Sequence, residues 1–151
     1  MRDSQKSKVY EAERSFHRGN YYGEPRSCAC PERLEKYDDT FEFVQRLYRS
    51  EGADYLRTRH RVMDRPGLVV KNGQGTRIAR GSRAGGWVSL PKWARCPLVI
   101  AHEVAHTLST DRHGEDYAYS YYRLTLQVDE WYGTSMALNL ASAFEKRGVR
   151  W

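Results

Sequence analysis

Apolar residues recur at helical spacing toward both ends of the chain and at strand spacing only in its middle. Near the start, Val9, Ala12 and Phe16 share one face of a helix that Asp3 or Ser4 can cap. "HRGNYYGEPRSCACPE" follows, where Gly19, Gly23, Pro25 and Pro31 break regular structure. A connection that long in a compact domain is expected to cover something. A second helix is predicted over "DDTFEFVQRLYRSEG". Asp39 or Thr40 caps it, Phe41, Val44, Leu47 and Tyr48 form its buried stripe, and Gly52 marks its end.

The middle changes period. "LVVKNGQGTRIARG" holds two short β-like runs around Asn72-Gly73, a hairpin signal, and "GWVSLP" is a third strand candidate. From Pro97 the helical period returns. "PLVIAHEVAHTLS" has proline in its first turn, where the missing N–H costs nothing. "GEDYAYSYYRLTLQVDEWY" spaces Tyr117, Tyr121, Leu124, Val128 and Trp131 along one face. The last helix runs from Thr134 to Lys146, Arg147 and a terminating Gly148. The expectation is an α+β fold in one domain over residues 1–151: two helices, a small antiparallel sheet of three strands, then three helices.

Composition adds boundaries. The chain is 40% hydrophobic and 29% charged, ordinary for a soluble globular protein, and lacks any apolar run long enough for a membrane span. Its start has no apolar core of a signal peptide, so a cytoplasmic location is expected. Cys28, Cys30 and Cys96 make an odd count, which reads as free thiols, and "CAC" is too tight for a structural zinc hairpin. The net charge of +6 favours acidic partners or nucleic acid. The densest basic stretch, Tyr55 to Arg65, reads as a nucleic-acid patch or, preferably, as a solvated surface.

The chemistry concentrates in "HEVAHTLSTDRHGEDY", His102 to Tyr117. His102 and His106 lie four apart, so a helix projects both imidazoles from one face toward one ion. Glu103 is rotated from His102 by about 100°, beside a metal rather than on it. Leu98, Ala101, Val104, Ala105 and Leu108 form an apolar arc that would bury one side of this helix. A catalytic zinc site takes three protein ligands and one open position. His113, after a short polar turn and before Gly114, leads for the third place; Asp111 is next, and Glu115 and Glu130 are further options.

The pattern H-E-x-x-H followed by H-G-x-x-[FY] resembles the zincin metallopeptidases. SprT-like proteases are similar at His102, Glu103, His106, His113, Gly114 and Tyr117. "RDSQKSKVYEAE" together with "LPKWAR" also resembles a small group of actinobacterial and phage metallohydrolases. The resemblance implies Zn²⁺ on His102, His106 and His113, Glu103 as general base, and a minimal zincin-like domain whose small sheet packs on the active-site helix. The chain departs from the metzincin pattern, with Ser109 where glycine and Arg112 where histidine would stand. It also lacks the four-cysteine ribbon of many SprT-like proteins.

The function expected is hydrolysis of a peptide bond in a peptide or protein substrate, through a zinc-activated water with Glu103 moving the proton. Tyr117, Tyr121 and Tyr122 are candidate oxyanion donors. Asp111, Glu115 and Asp116 are candidates for orienting the histidines. Trp87 to Leu90 could be an edge strand that pairs with substrate. Hydrolysis of a small amide or ester would use the same metal and base. The rival is a zinc-stabilised module that binds protein or nucleic acid without turnover. Glu103 argues against it, since a closed structural site has no use for that carboxylate.

Overall fold

The computed structural model describes residues 5–16, 30–34, 36–76 and 78–151. The proposed helix caps Asp3 and Ser4, together with Cys28 and most of the long connection, lie outside them. The described residues form α1 (Lys6–Phe16), α2 (Tyr37–Tyr48), α3 (Glu51–His60), β1 (Val69–Lys71), β2 (Arg80–Ser82), β3 (Trp87–Ser89), a 3-10 turn (Lys92–Ala94), α4 (Pro97–Thr107), α5 (Glu115–Tyr132) and α6 (Met136–Arg147). The fold is α+β, and among the described residues no helix is long and apolar enough to cross a membrane.

The helix α4 is the centre of the molecule. Every residue from Pro97 to Ala105 is buried, because α4 packs against α2, α5, β2 and β3 at once. The predicted one-sided arc is therefore too narrow: a helix enclosed on all sides is apolar on all sides except where a polar group has work to do. α1 packs on α6, which packs on α5. Gln5 secures this end of α1, accepting from Arg150 N at 2.7 Å and donating from its side-chain amide to the His113 carbonyl at 3.2 Å.

Two boundaries differ from expectation. α2 begins at Tyr37 with Lys36 at its N-cap, so Asp38 and Asp39 sit in the first turn, where they oppose the helix dipole's positive end. Its core stripe is Thr40, Phe43, Val44, Leu47 and Tyr48, whereas Phe41 is 41% exposed. Gly52 does not end the helical region but lies in the first turn of α3, capped by Ser50, whose hydroxyl accepts from Ala53 N at 3.2 Å. The close approach of α5 explains the glycine: its N–H donates to Gln127 Oε1 at 3.2 Å, and a Cβ would lie 3.1 Å from an Arg123 nitrogen. Similarly α6 starts at Met136 rather than Thr134, because the Asp129 carboxylate accepts from Met136 N and Ala137 N at 2.9 and 2.8 Å.

The sheet is mixed, not antiparallel. Its order is β1-β3-β2, with β1 parallel and β2 antiparallel to β3. Asn72-Gly73 does not close a hairpin. Gly73 is left-handed (φ 64°) but lies against Pro91, where a Cβ would be 2.5 Å from the ring nitrogen, so the chain is carried past the end of β3. The hairpin joins β2 to β3 through 83–86, closed by Gly86 N donating to Ser82 O at 3.0 Å. β3, expected as an edge, is the central strand, and β2 takes the edge beside α4. There Gly81 touches the helix backbone: a Cβ would fall 2.1 Å from the Glu103 carbonyl oxygen.

Candidate metal centre

His102 and His106 project from α4 as their spacing requires, and the turn after α4 returns His113 over them. The three imidazoles offer ligand atoms within 4.8 Å of one another, close enough to bind one metal ion. His102 and His113 are buried and His106 half-buried. Tyr117, in the first turn of α5, braces the cluster. Its ring stacks on His106 at 4.3 Å and meets His113 edge-on at 4.8 Å. Its hydroxyl donates to the His102 carbonyl at 3.2 Å, so it is not the oxyanion donor proposed for it.

The turn depends on Asp111. Its carboxylate accepts from Tyr117 N at 2.8 Å and from Asp116 N at 3.3 Å, satisfying the N-terminal donors of α5. Gly114 is required there, since a Cβ would lie 2.2 Å from Asp111 Oδ2. Asp111 therefore shapes the turn that carries His113 and is neither a ligand nor a partner of an imidazole. Asp116 accepts from Thr110 Oγ1 at 2.7 Å and Glu115 pairs with Arg150 at 3.5 Å, both away from the cluster. Glu130 is exposed and bonded to Gln127 at 3.0 Å. Tyr121 is buried with its ring 5.2 Å from His102, while Tyr122 packs on Trp151 at 4.5 Å.

The carboxylate that orients an imidazole is Glu13, from α1. It is fully buried and accepts from His102 Nδ1 at 2.7 Å, across 89 residues of sequence. That bond directs the Nε2 lone pair toward the cluster. His102 Nε2 is itself buried with no hydrogen-bond partner among the described residues, Glu103 Oε1 being 3.7 Å away. A buried acceptor left in that state is costly unless a cation completes it, so this donor set fits a metal. Glu13 had a signal in the sequence: it interrupts the apolar face of Val9, Ala12 and Phe16 at helical spacing.

Electrostatics follow from burial and from these neighbours. For His102, burial opposes the charge, but Glu13 and Glu103 outweigh it and hold the pKa above its ordinary value. Burial, then the charges of His102 and His113, push His106 well below its ordinary value, so it is neutral and ready to ligate. Burial raises the Glu103 carboxyl to about 7, with His102 opposing and Glu13 reinforcing the rise.

Beside this cluster opens a cavity of about 340 Å³. His102 and Glu103 lie at its base with Val99 and Trp93; Ile78 and Ala79, just before β2, make one wall. α1 makes the other wall with Glu13 and Tyr10, and Lys6 and Arg14 also line it. Tyr10 is half-buried, its ring 5.3 Å from His102 and 5.5 Å from His113. Tyr10 is a site residue that motif reading did not single out.

The other sequence candidates do not join the site. Cys30 and Cys96 form no disulfide, and Leu98 N donates to Cys30 Sγ at 3.2 Å. The basic segment from Tyr55 is mostly α3, and its arginines are partly engaged. Arg57 is buried over Tyr48 and paired with Asp54, and Arg59 lies 4.4 Å over the Tyr119 ring. Comparison of the chain with family models, curated proteins and solved structures finds no match.

Proposed function

We propose that the protein is a zinc-dependent hydrolase, most specifically a peptidase, acting in a reducing compartment such as the cytoplasm. The observation that carries this reading is Glu103: a buried carboxylate beside a three-histidine cluster, at the base of a cavity, and not used to close the metal set. His102, His106 and His113 would hold the ion. Zinc bound there supplies Lewis acidity toward a carbonyl oxygen and lowers the pKa of water to about 7.

The chain's own residues account for the rest. Glu13 fixes the ring of His102, and Tyr117 and the Asp111 turn fix those of His106 and His113. Glu103, buried beside His102, takes the proton from the attacking water and returns it to the leaving amine. Tyr10, on the open side of the cluster, is the proposed second donor to the carbonyl oxygen as charge develops there. The edge strand β2, held against α4 at Gly81, offers main-chain pairing to an extended substrate, the part first expected of Trp87–Leu90.

The test is metal analysis and peptide hydrolysis for the wild type, Glu103→Gln and His113→Ala. The expected result is one zinc per wild-type chain, full zinc with hydrolysis lower by about 10²–10⁴ in Glu103→Gln, and depleted zinc in His113→Ala. Full hydrolysis by Glu103→Gln would sink the catalytic reading. A fourth protein ligand on the ion would favour the non-catalytic module instead.

A further inference from the structure

On α1, Lys6, Tyr10 and Arg14 stand at i, i+4 and i+8, a single ridge, and all three line the cavity. Tyr10 is at the level of the histidines, which sets the cations on either side of the reacting centre. Lys6 and Arg14 are exposed, and among the described residues neither has an ion pair or hydrogen bond. The acids of the cavity are spoken for in a different way: Glu13 is bonded to His102, and Glu103 is buried at the base. A divalent ion would offset those two carboxylates and leave both cations uncompensated. The opposite wall is apolar, with Ile78 56% exposed beside Ala79, above Val99 and Trp93 at the base.

Resting on the hydrolase reading, we propose that the cleft selects acidic peptides: an apolar residue at the scissile bond lies against Ile78 and Trp93, flanked on both sides by carboxylates paired with Lys6 and Arg14. Helical rise separates Lys6 from Arg14 by about 12 Å. An extended peptide covers that in about three to four residues, so the acidic side chains stand about two residues either side of the cleaved bond. A nucleic acid is the poorer fit, because among the described residues lining the cleft the cations stand on the α1 ridge alone, and the facing Ile78 and Ala79 offer no polar side chain to read a base.

Binding can be measured without turnover, by fluorescence anisotropy of labelled decapeptides on the Glu103→Gln protein with and without zinc. The peptides carry a central leucine or phenylalanine flanked by glutamates, glutamines or lysines, each with amidated and free C-termini. The glutamate peptide should bind tightest, with each cation contributing about threefold and both about tenfold, and the preference should fade with salt. Lys6→Gln with Arg14→Gln should erase the preference, and Lys6→Glu with Arg14→Glu should transfer it to the lysine peptide. Circular dichroism and zinc content verify that these surface variants fold. Equal affinity for all three peptides, or an unchanged preference in the reversed variant, would overturn the proposal. So would a dependence on the free C-terminus alone, which assigns the cations to a chain end. Displacement by an equal concentration of single-stranded oligonucleotide, lost on charge reversal, would reassign the ridge to nucleic acid. Selective binding of the glutamate peptide without its cleavage by zinc-loaded wild type would support the ridge and remove the hydrolase reading.

Discussion

Helices α4 and α1 face each other across the same cavity, yet they contribute to it by opposite routes. α4 is buried throughout and presents a motif whose geometry is local: four residues of separation stack His102 over His106 wherever the helix is placed. α1 presents no motif. Its Glu13, Tyr10, Lys6 and Arg14 matter only because α6 holds α1 against the site, with Gln5 bonded to Arg150 and to the His113 carbonyl. The ligand-bearing helix supplies what binds the ion. The covering helix supplies what orients it, borders the cleft and selects what enters.

That division of labour can be broken by substitution. Tyr10→Phe should retain zinc and lower kcat by about 10²–10³, a loss confined to turnover because a hydroxyl is all that is removed. An unchanged kcat would reduce α1 to a wall. Glu13→Gln should weaken zinc affinity by about 10- to 100-fold in a chelator competition, since the amide no longer holds His102 with a charged acceptor. Equal affinity in wild type and variant would mean that α4 orients its histidines unaided.

Gly81→Ala probes the other boundary of α4. The new Cβ meets the Glu103 carbonyl oxygen at 2.1 Å and His106 Cβ at 3.0 Å, so strand and helix must separate. A loss of about 1–3 kcal/mol in urea unfolding is expected, and wild-type stability would mean the sheet shifts freely over the helix.

The smallest effect is in pH dependence. In metal-free protein the Glu103 carboxyl stands at about 7 against an ordinary 4.5, so folding favours its protonated form. That contribution is whole below the ordinary value and lost as pH rises through about 7. The raised pKa of His102 has the same sign, while the lowered pKa of His106 acts oppositely, costing stability as pH falls below 6.5. Glu103→Gln should therefore flatten the decline of metal-free stability between pH 4.5 and 7; an identical decline in the variant would assign it to other groups.

Much of the site was legible before the fold because it depends on short-range geometry. The pair His102 and His106, the leftover Glu103 and the turn returning His113 all lie within twelve positions, 102 to 113. Readings that went astray needed knowledge of a distant partner. Asn72-Gly73 has hairpin chemistry, but β1 before it pairs in parallel with the distant β3 rather than with the segment that follows it. Gly52 reads as a helix stop until Gln127 and Arg123 of α5 are set beside it. Phe41 and Phe43 are equally apolar, and the packing of α2 on α4 and α5 decides which is buried.

By itself the sequence determined the helical periods, the position of the short strands and the spacing of the three histidines, because these follow from bond geometry over a few residues. Only the tertiary structure decided the strand order, the enclosure of α4 and the pairing of Glu13 with His102. Eighty-nine residues separate that pair. No period links them; burial of the apolar face of α1 against the rest of the core does, and it carries a charged residue in with it to the His102 imidazole.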